Sequence, residues 1–207
     1  MHAVSPPSIS VLLPVYDGTA TLQRAIQSIR EQTLADWELI VVNDGSTDGT
    51  AKMLADCAAE DIRIRVFTHT RNRGIVSALL TGLEQARAPY IARMDADDLC
   101  APERLEQQRD FLDAHPDIGL VGCRVRFGGD RATHAGYAAY VDWTNTLLEP
   151  EEIALNRFVE SPFAHPSVAF RRELPECFGS YRDGDFPEDY ELWLRWLDAG
   201  VRMAKLP

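Results

Sequence analysis

The chain is short of positive charge. Lys and Arg total 21 against 32 Asp and Glu, for a formal net charge of -11 at pH 7. Nucleic-acid phosphates demand a basic surface, so the balance argues against a general nucleic-acid binder, leaving room only for a local basic patch. Simple electrostatic adhesion to an anionic membrane is disfavoured for the same reason. Cysteine is sparse as well. Cys57, Cys100, Cys123 and Cys177 lie far apart and form no CxxC pair, which argues against zinc ribbons and thioredoxin-like sites. They read as reduced core thiols of a cytosolic protein. No window reaches ~18 consecutive apolar residues, so no membrane span is expected. The opening "MHAVSPPSIS" has neither the basic nor the apolar region of a signal peptide. Two phosphate-binding signatures are also missing. There is no GxxxxGK[ST] loop, and the glycines of "NDGSTDGT" do not have GxGxxG spacing, which weakens ATPase and hydride-transfer readings.

What is present is a regular alternation. The 207 residues are 45% apolar, enough for a sizeable core in one large domain. "ISVLLPVY" reads as a buried strand ended by Pro14, and "TLQRAIQSIREQ" as a helix with Leu22, Ala25, Ile26 and Ile29 on one face. The pattern repeats through the strands "WELIVVND", "IRIRVFTH", "YIARM" and "IGLVGCRVRF" and the helices "STDGTAKMLADCAA", "GIVSALLTGLEQA" and "PERLEQQRDFLDAH". Pro102 suits the first turn of that last helix. Such alternation predicts an α/β protein with a mostly parallel, Rossmann-like central sheet and helices on both faces. Residues 1–128 form this regular half. From 129 to 207 the pattern loosens, although "HPSVAFRREL" reads as a strand and "PEDYELWLRWLDAG" as a strong helix. Its apolar stripe is Tyr190, Trp193, Leu194 and Leu197, and Gly200 is its stop.

Parallel sheets bind ligands at the C-terminal ends of their strands. That rule gathers "VYDG", "NDGSTDG" and "MDADD" on one rim. Asp95, Asp97 and Asp98 would repel one another if left alone. One Asp fits a turn or a helix cap; three together call for a cation, and hard divalent ions take oxygen ligands. Asp44 ends a strand, where a carboxylate can accept a ligand N–H. Further on, Asp185 and Glu188 have capping-box spacing. Glu188 and Asp189 complement the helix dipole, which would hold a general base ionised. His165 is titratable near neutrality and is a candidate on the acceptor side.

Six stretches taken together, "SVLLPVYDG", "ELIVVNDGSTDGT", "RNRGIVSALLTGL", "YIARMDADDLCAPERL", "HPSVAFRR" and "PEDYELWLR", resemble family-2 glycosyltransferases of the GT-A fold. The likeness is to bacterial enzymes building surface polysaccharide or lipopolysaccharide. It implies inverting transfer of a hexosyl or N-acetylhexosaminyl group from a nucleotide-diphosphosugar, often a UDP-sugar, to a saccharide or lipid-linked saccharide. It also implies Mn²⁺ or Mg²⁺ as cofactor. Position by position, Pro14, Val15, Tyr16 and Asp17 match the family's first donor-binding segment. Asp44 matches the acid that reads the nucleobase, and Asn72 and Gly74 lie in a block near the nucleotide. Asp95 and Asp97 match the DxD motif, with Asp97 the direct metal ligand and Asp95 on ribose or a metal-bound water. Asp189 matches the catalytic base, and Glu188 its orienting or acceptor-contacting neighbour. The resemblance divides the domain into a donor half, 1–128, and an acceptor half, 129–207. It places the protein in the cytoplasm, or peripherally at the inner face of the membrane. Relatives generally continue into a Tyr-Arg-x-His-like segment whose His can complete the metal shell. This chain ends at "RMAKLP" without one and reads as shortened there, leaving the third ligand unassigned. Two rival readings stand beside this one: a metal-dependent sugar nucleotidyltransferase, whose Gly-rich basic loop "PVYDGTATLQRA" does not match, and a nucleotide-sugar-binding fragment without activity.

Overall fold

A computed structural model describes residues 6–207. The elements run β1 (Ile9–Val15), α1 (Leu22–Arg30), β2 (Trp37–Asn43), α2 (Thr50–Glu60), β3 (Ile64–Thr68), α3 (Ile75–Gln85), β4 (Tyr90–Arg93), α4 (Arg104–Ala114), β5 (Ile118–Cys123), α5 (Ala135–Thr144), α6 (Pro150–Asn156), β6 (Ala169–Arg171), α7 (Leu174–Phe178), α8 (Glu188–Asp198) and β7 (Arg202–Leu206). The seven strands form one sheet in the order β3-β2-β1-β4-β6-β5-β7. Every pairing is parallel except those of β6, which runs antiparallel to both β4 and β5.

The apolar runs are buried on both faces because side chains alternate along each strand. Val11, Leu13, Leu39 and Val41 pack with Leu22, Ile26 and Ile29 of α1, Leu54 of α2 and Leu105 of α4. Leu12, Ile40 and Val42 turn the other way, onto Leu79 of α3 and Leu192, Trp193 and Trp196 of α8. At Gly82 of α3 a Cβ would lie 3.2 Å from Leu12, so this glycine sets how closely α3 approaches the sheet. Strand order reverses at β1–β4, and this switch point opens the crevice where the site sits.

Several local expectations are corrected. Pro14 does not end β1, which continues to Val15. Leu12 accepts from the Met94 N–H on the β4 side, and Pro14, two residues on, faces the same side beyond the last β1–β4 pair, Leu12–Arg93, so its missing N–H costs no ladder bond. Helix α4 begins at Arg104, with Pro102 in the turn before it. Strand β5 ends at Cys123, short of the predicted Phe127. "HPS" forms a 3₁₀ turn (His165–Ser167), and β6 after it has only three residues. Helix α8 buries Leu192, Trp193 and Trp196, whereas Tyr190, Leu194 and Leu197 are only half-buried. Tyr190 instead donates to the Arg157 carbonyl at 2.7 Å. Pro187 occupies the N-cap of α8, so no capping box forms from Asp185; the box belongs to α6, between Glu149 and Glu152. Gly200, at φ 87, ends α8, with its N–H on Leu197 O and that of Val201 on Trp196 O. The four cysteines are free thiols, but only Cys57 is a core residue; Cys100 and Cys123 are half-buried and Cys177 is exposed.

Candidate functional site at the sheet rim

Strands β2, β1 and β4 are adjacent and parallel, so their C-terminal ends share one edge. The loops after β1 and β2 are tied together. The backbone N–H of Asp17 donates to Ser46 Oγ at 3.0 Å, and its Oδ1 accepts the Thr47 N–H at 2.7 Å. Thr19 donates its backbone N–H and its hydroxyl to Asp48, and Gly18 its N–H to Thr50. Hydrogen bonds from Thr50 and Thr19 hold the Asp48 carboxyl down at about 2. Asp17 has φ 50, the left-handed region that a non-glycine residue rarely occupies. Pro14 and Val15 lie within the strand below, and the Tyr16 ring is 48% exposed at the rim.

Asp44 is buried, and its carboxylate grips the neighbouring loop. It accepts the Arg73 N–H at 3.0 Å on both oxygens and the Gly74 N–H at 2.8 Å. His69 Nδ1 lies 2.6 Å from Oδ1, with its Nε2 on Thr81. Asn72 Oδ1 also accepts from Gly74 N–H. Asp44, Asn72 and Gly74 are thus brought together. Gly45, at φ 73, packs against the same loop, where a Cβ would fall 2.3 Å from the Arg71 carbonyl carbon.

At the end of β4, Arg93 is 1% exposed. Its Nη2 donates to Asp95 Oδ1 at 2.6 Å and its Nη1 to the Met94 carbonyl, while its buried Nε has no partner among the described residues. Asp97 and Asp98 stand exposed beyond it. Partial desolvation against the crevice wall, though the residue as a whole is exposed, and then the charges of Asp95 and Asp97, push the Asp98 carboxyl up to about 6. The crevice holds about 1210 Å³ and is bordered by Asp95, Asp97 and Asp98, by Arg104 of α4, by Arg124 and Arg126 beyond β5, and by Tyr137 of α5.

Glu188 and Asp189 open α8. Burial, reinforced by the charge of Glu188, raises the Asp189 carboxyl above the ordinary aspartate range. The expected helix-dipole stabilisation of the ionised form is outweighed by desolvation. Glu188 Oε1 lies 3.6 Å from His165 Nδ1, and its carboxyl is lowered by that imidazole. His165 itself is buried. Desolvation and then the charge of Arg93 lower its pKa, and its Nε2 sits 2.9 Å from the Tyr181 hydroxyl.

The donor set suits a hard divalent ion in one particular way. Among the described residues no three His, Cys, Asp or Glu side chains converge as a closed cage. Two neighbouring carboxylates that repel a third are what an ion shared with water and phosphate oxygens would use. The residues fit such an open site. Sequence reasoning had missed Arg93, Tyr181 and His69. A cation inside an apolar run, "YIARM", was the available signal for the first; the other two carry no local signal.

The family model for glycosyl transferase family 2 matches residues 10–178. Among curated relatives, the amylovoran biosynthesis glycosyltransferase AmsE of Erwinia amylovora is 31% identical over 204 residues, covering 96% of this chain and 73% of the relative. The UDP-Gal:alpha-D-GlcNAc-diphosphoundecaprenol beta-1,3-galactosyltransferase of Escherichia coli is 32% identical over 196 residues, 94% of this chain and 69% of the relative. Among solved structures, the mannosyltransferase PcManGT of Pyrobaculum calidifontis in complex with GDP-Man and Mn²⁺ superposes with TM-score 0.74 at 25% identity, over 98% of this chain and 55% of that one. S. aureus TarS 1-349 in complex with UDP-GlcNAc gives TM-score 0.75 at 19% identity, over 96% and 56%. The chain spans about half the length of these solved structures.

Proposed function

Since the chain belongs to glycosyl transferase family 2 and has the GT-A fold, we propose that it transfers a sugar from a nucleotide-diphosphosugar to a saccharide or lipid-linked saccharide, with inversion at the anomeric carbon. The observation that carries this reading is the acidic set Asp95, Asp97 and Asp98, which follows β4 at the C-terminal rim of the sheet and borders the large crevice together with Tyr137. Asp189 begins α8 and is brought into the same domain as the candidate base. A single displacement needs one base facing one leaving group.

Residues 1–128 hold the donor. Pro14, Val15, Tyr16 and Asp17 line the path of the nucleotide, and Asp44 with Asn72 and Gly74 frames its base. Residues 129–207 supply the acceptor side. Asp97 would hold Mn²⁺ or Mg²⁺, with Asp95 beside it toward the ribose or the ion's water shell. The ion offsets negative charge on the departing diphosphate. Asp189 takes the proton of the attacking hydroxyl, and its raised proton affinity suits that task. The donor class is a UDP-sugar. The name of the Escherichia coli relative supports it, and that of the Pyrobaculum mannosyltransferase makes GDP the competitor to test. No helix among the described residues is long and apolar enough to cross a membrane. The proposal places the chain at the cytoplasmic face, working on polysaccharide precursors as AmsE does by its name.

Calorimetric titration with UDP, GDP, CDP and dTDP, each with and without Mn²⁺, tests the donor site. Tight binding of UDP that requires Mn²⁺ is expected. Binding of no nucleotide under either condition would overturn it. Release of nucleoside diphosphate with acceptor extracts separates transfer from the nucleotidyltransferase alternative, which would exchange pyrophosphate. Metal-dependent binding with no release would favour the non-catalytic reading.

A further inference from the structure

We infer that Tyr181 and His165 form a hydrogen-bonded arm that positions Glu188, with the Tyr181 hydroxyl donating to His165 Nε2 and the imidazole Nδ1–H turned toward the Glu188 carboxylate. The kinetic part of this inference rests on the proposed transfer reaction; the hydrogen-bonding part does not.

The geometry selects one arrangement of protons. His165 Nε2 lies 2.9 Å from Tyr181 Oη, and Nδ1 lies 3.6 Å from Glu188 Oε1. A neutral imidazole carries a proton on only one nitrogen. Placing it on Nε2 would aim the Nδ1 lone pair at a carboxylate. Placing it on Nδ1 aims an N–H there and leaves Nε2 to accept from Tyr181. The Tyr181 side chain is buried, and His165 is the only hydrogen-bond partner of its hydroxyl among the described residues. A buried hydroxyl is costly unless paired, so a phenylalanine would serve packing alone at least as well.

The ring is also fixed mechanically. It lies between Tyr181 and Trp193, with centroids at 5.5 and 5.9 Å. Its 3₁₀ turn is closed by the Ser167 N–H and hydroxyl, both on the Ala164 carbonyl. The segment before it is latched: Thr144 and Lys205 donate to the Pro162 carbonyl, and Tyr140 and Ser161 to that of Phe163. The charged groups acting on His165 are Arg93 and Asp95 from β4 and its rim, and Glu188 and Asp189 from α8. Burial and Arg93 keep the imidazole neutral. His165 is therefore a positioning residue. It acts on the proposed site through Glu188, toward which its Nδ1 points.

Long-range proton–nitrogen correlation on isotope-labelled histidine reads the tautomer directly. His165 is expected as the neutral Nδ1–H form throughout the neutral pH range. An Nε2–H form, or an imidazolium at neutral pH, would overturn the inference whether or not the protein transfers sugar. Tyr181→Phe is expected to give mixed tautomers and a kcat lowered about five-fold, the worth of one hydrogen bond. Nucleotide affinity should not change, and the acid limb of the pH profile should move. His165→Asn, which keeps an N–H donor near the Nδ1 position, should retain most of the rate that His165→Leu loses. Unchanged kcat and pH profile in Tyr181→Phe, or equal losses in the two His165 variants, would reduce the arm to packing. Failed nucleotide binding by the unaltered protein would count against the donor site and leave the tautomer result to decide the arm.

Discussion

The buried guanidinium of Arg93 donates to the Asp95 carboxylate at 2.6 Å, so the first acid of the proposed metal-binding pair is aimed from beneath by the strand that carries it. Arg93→Met keeps length and apolar bulk but releases Asp95. A charge-assisted bond of this kind supports an expected loss of about tenfold in Mn²⁺-dependent nucleotide affinity. Calorimetry on the folded variant checks it; unaltered affinity would mean that Asp95 needs no such support.

Asp189→Asn is expected to leave nucleotide binding intact and to lower turnover about 10²- to 10⁴-fold, the range for losing a general base. The pH profile carries a second signature. Burial and Glu188 raise the Asp189 carboxyl, and a base works only when ionised. The rate should therefore fall with decreasing pH through that raised value, at a higher pH than an ordinary aspartate would give. A profile flat through the acid range would remove Asp189 from the role.

Gly45→Ala tests the frame behind the end of the site proposed for the nucleobase. The residue has φ 73, and a Cβ there meets the Arg71 carbonyl carbon at 2.3 Å. The left-handed conformation alone costs about 1–2 kcal/mol for an L side chain, before any clash. Thermal unfolding should show at least that loss, and nucleotide binding should weaken as the loop holding Asn72 and Gly74 is displaced. A melting curve matching the unaltered protein would contradict the close approach.

Glu38 closes the opposite end of the sheet. It is 1% exposed. Burial alone would raise its carboxyl, but hydrogen bonds from Ser10, the Arg87 side chain and backbone, and Arg65 leave it lowered. A depressed carboxylate stabilises the fold fully above its unfolded pKa, and that share is lost as pH falls through the folded value. Glu38→Gln should destabilise by about 1–2 kcal/mol at neutral pH, because the buried end of the Ser10, Arg65 and Arg87 hydrogen bonds loses its charge while both guanidiniums keep access to water. The gap to the unaltered protein should narrow on acidification. Urea unfolding at neutral and acid pH gives both quantities.

Strands β1 to β5 were legible because each reads as an apolar run and is followed or preceded by an amphipathic helix. Strand β7, "RMAKL", was not. Lys205 is buried in it, a placement that depends on the Thr144 and Pro162 carbonyls and the Thr144 hydroxyl, all distant in sequence. The stripe of α8 was misplaced for a similar reason. Trp196 is in the core, where its Nε1 donates to the Gly179 carbonyl at 3.0 Å, while Tyr190 finds Arg157 outside. At the site, Asp95, Asp97 and Asp98 announce themselves by crowding. What surrounds them does not: Tyr181 is 16 positions from His165, and the grip of Asp44 on Arg73 and Gly74 spans some 30 positions.

Strand β6 enters between β4 and β5, and β7 pairs on the far side of β5, so the two parts of the chain alternate across this half of the sheet. They interlace like fingers rather than meeting as lobes. Pulling residues 129–207 away from the rest would unzip β4–β6, β6–β5 and β5–β7 together. A backbone cut in the loop after β5 would accordingly yield two fragments that complement each other, not two bodies that fold alone. A hinge that opens by swinging one part from the other has no axis in this architecture, and access to the crevice is left to the loops along its rim.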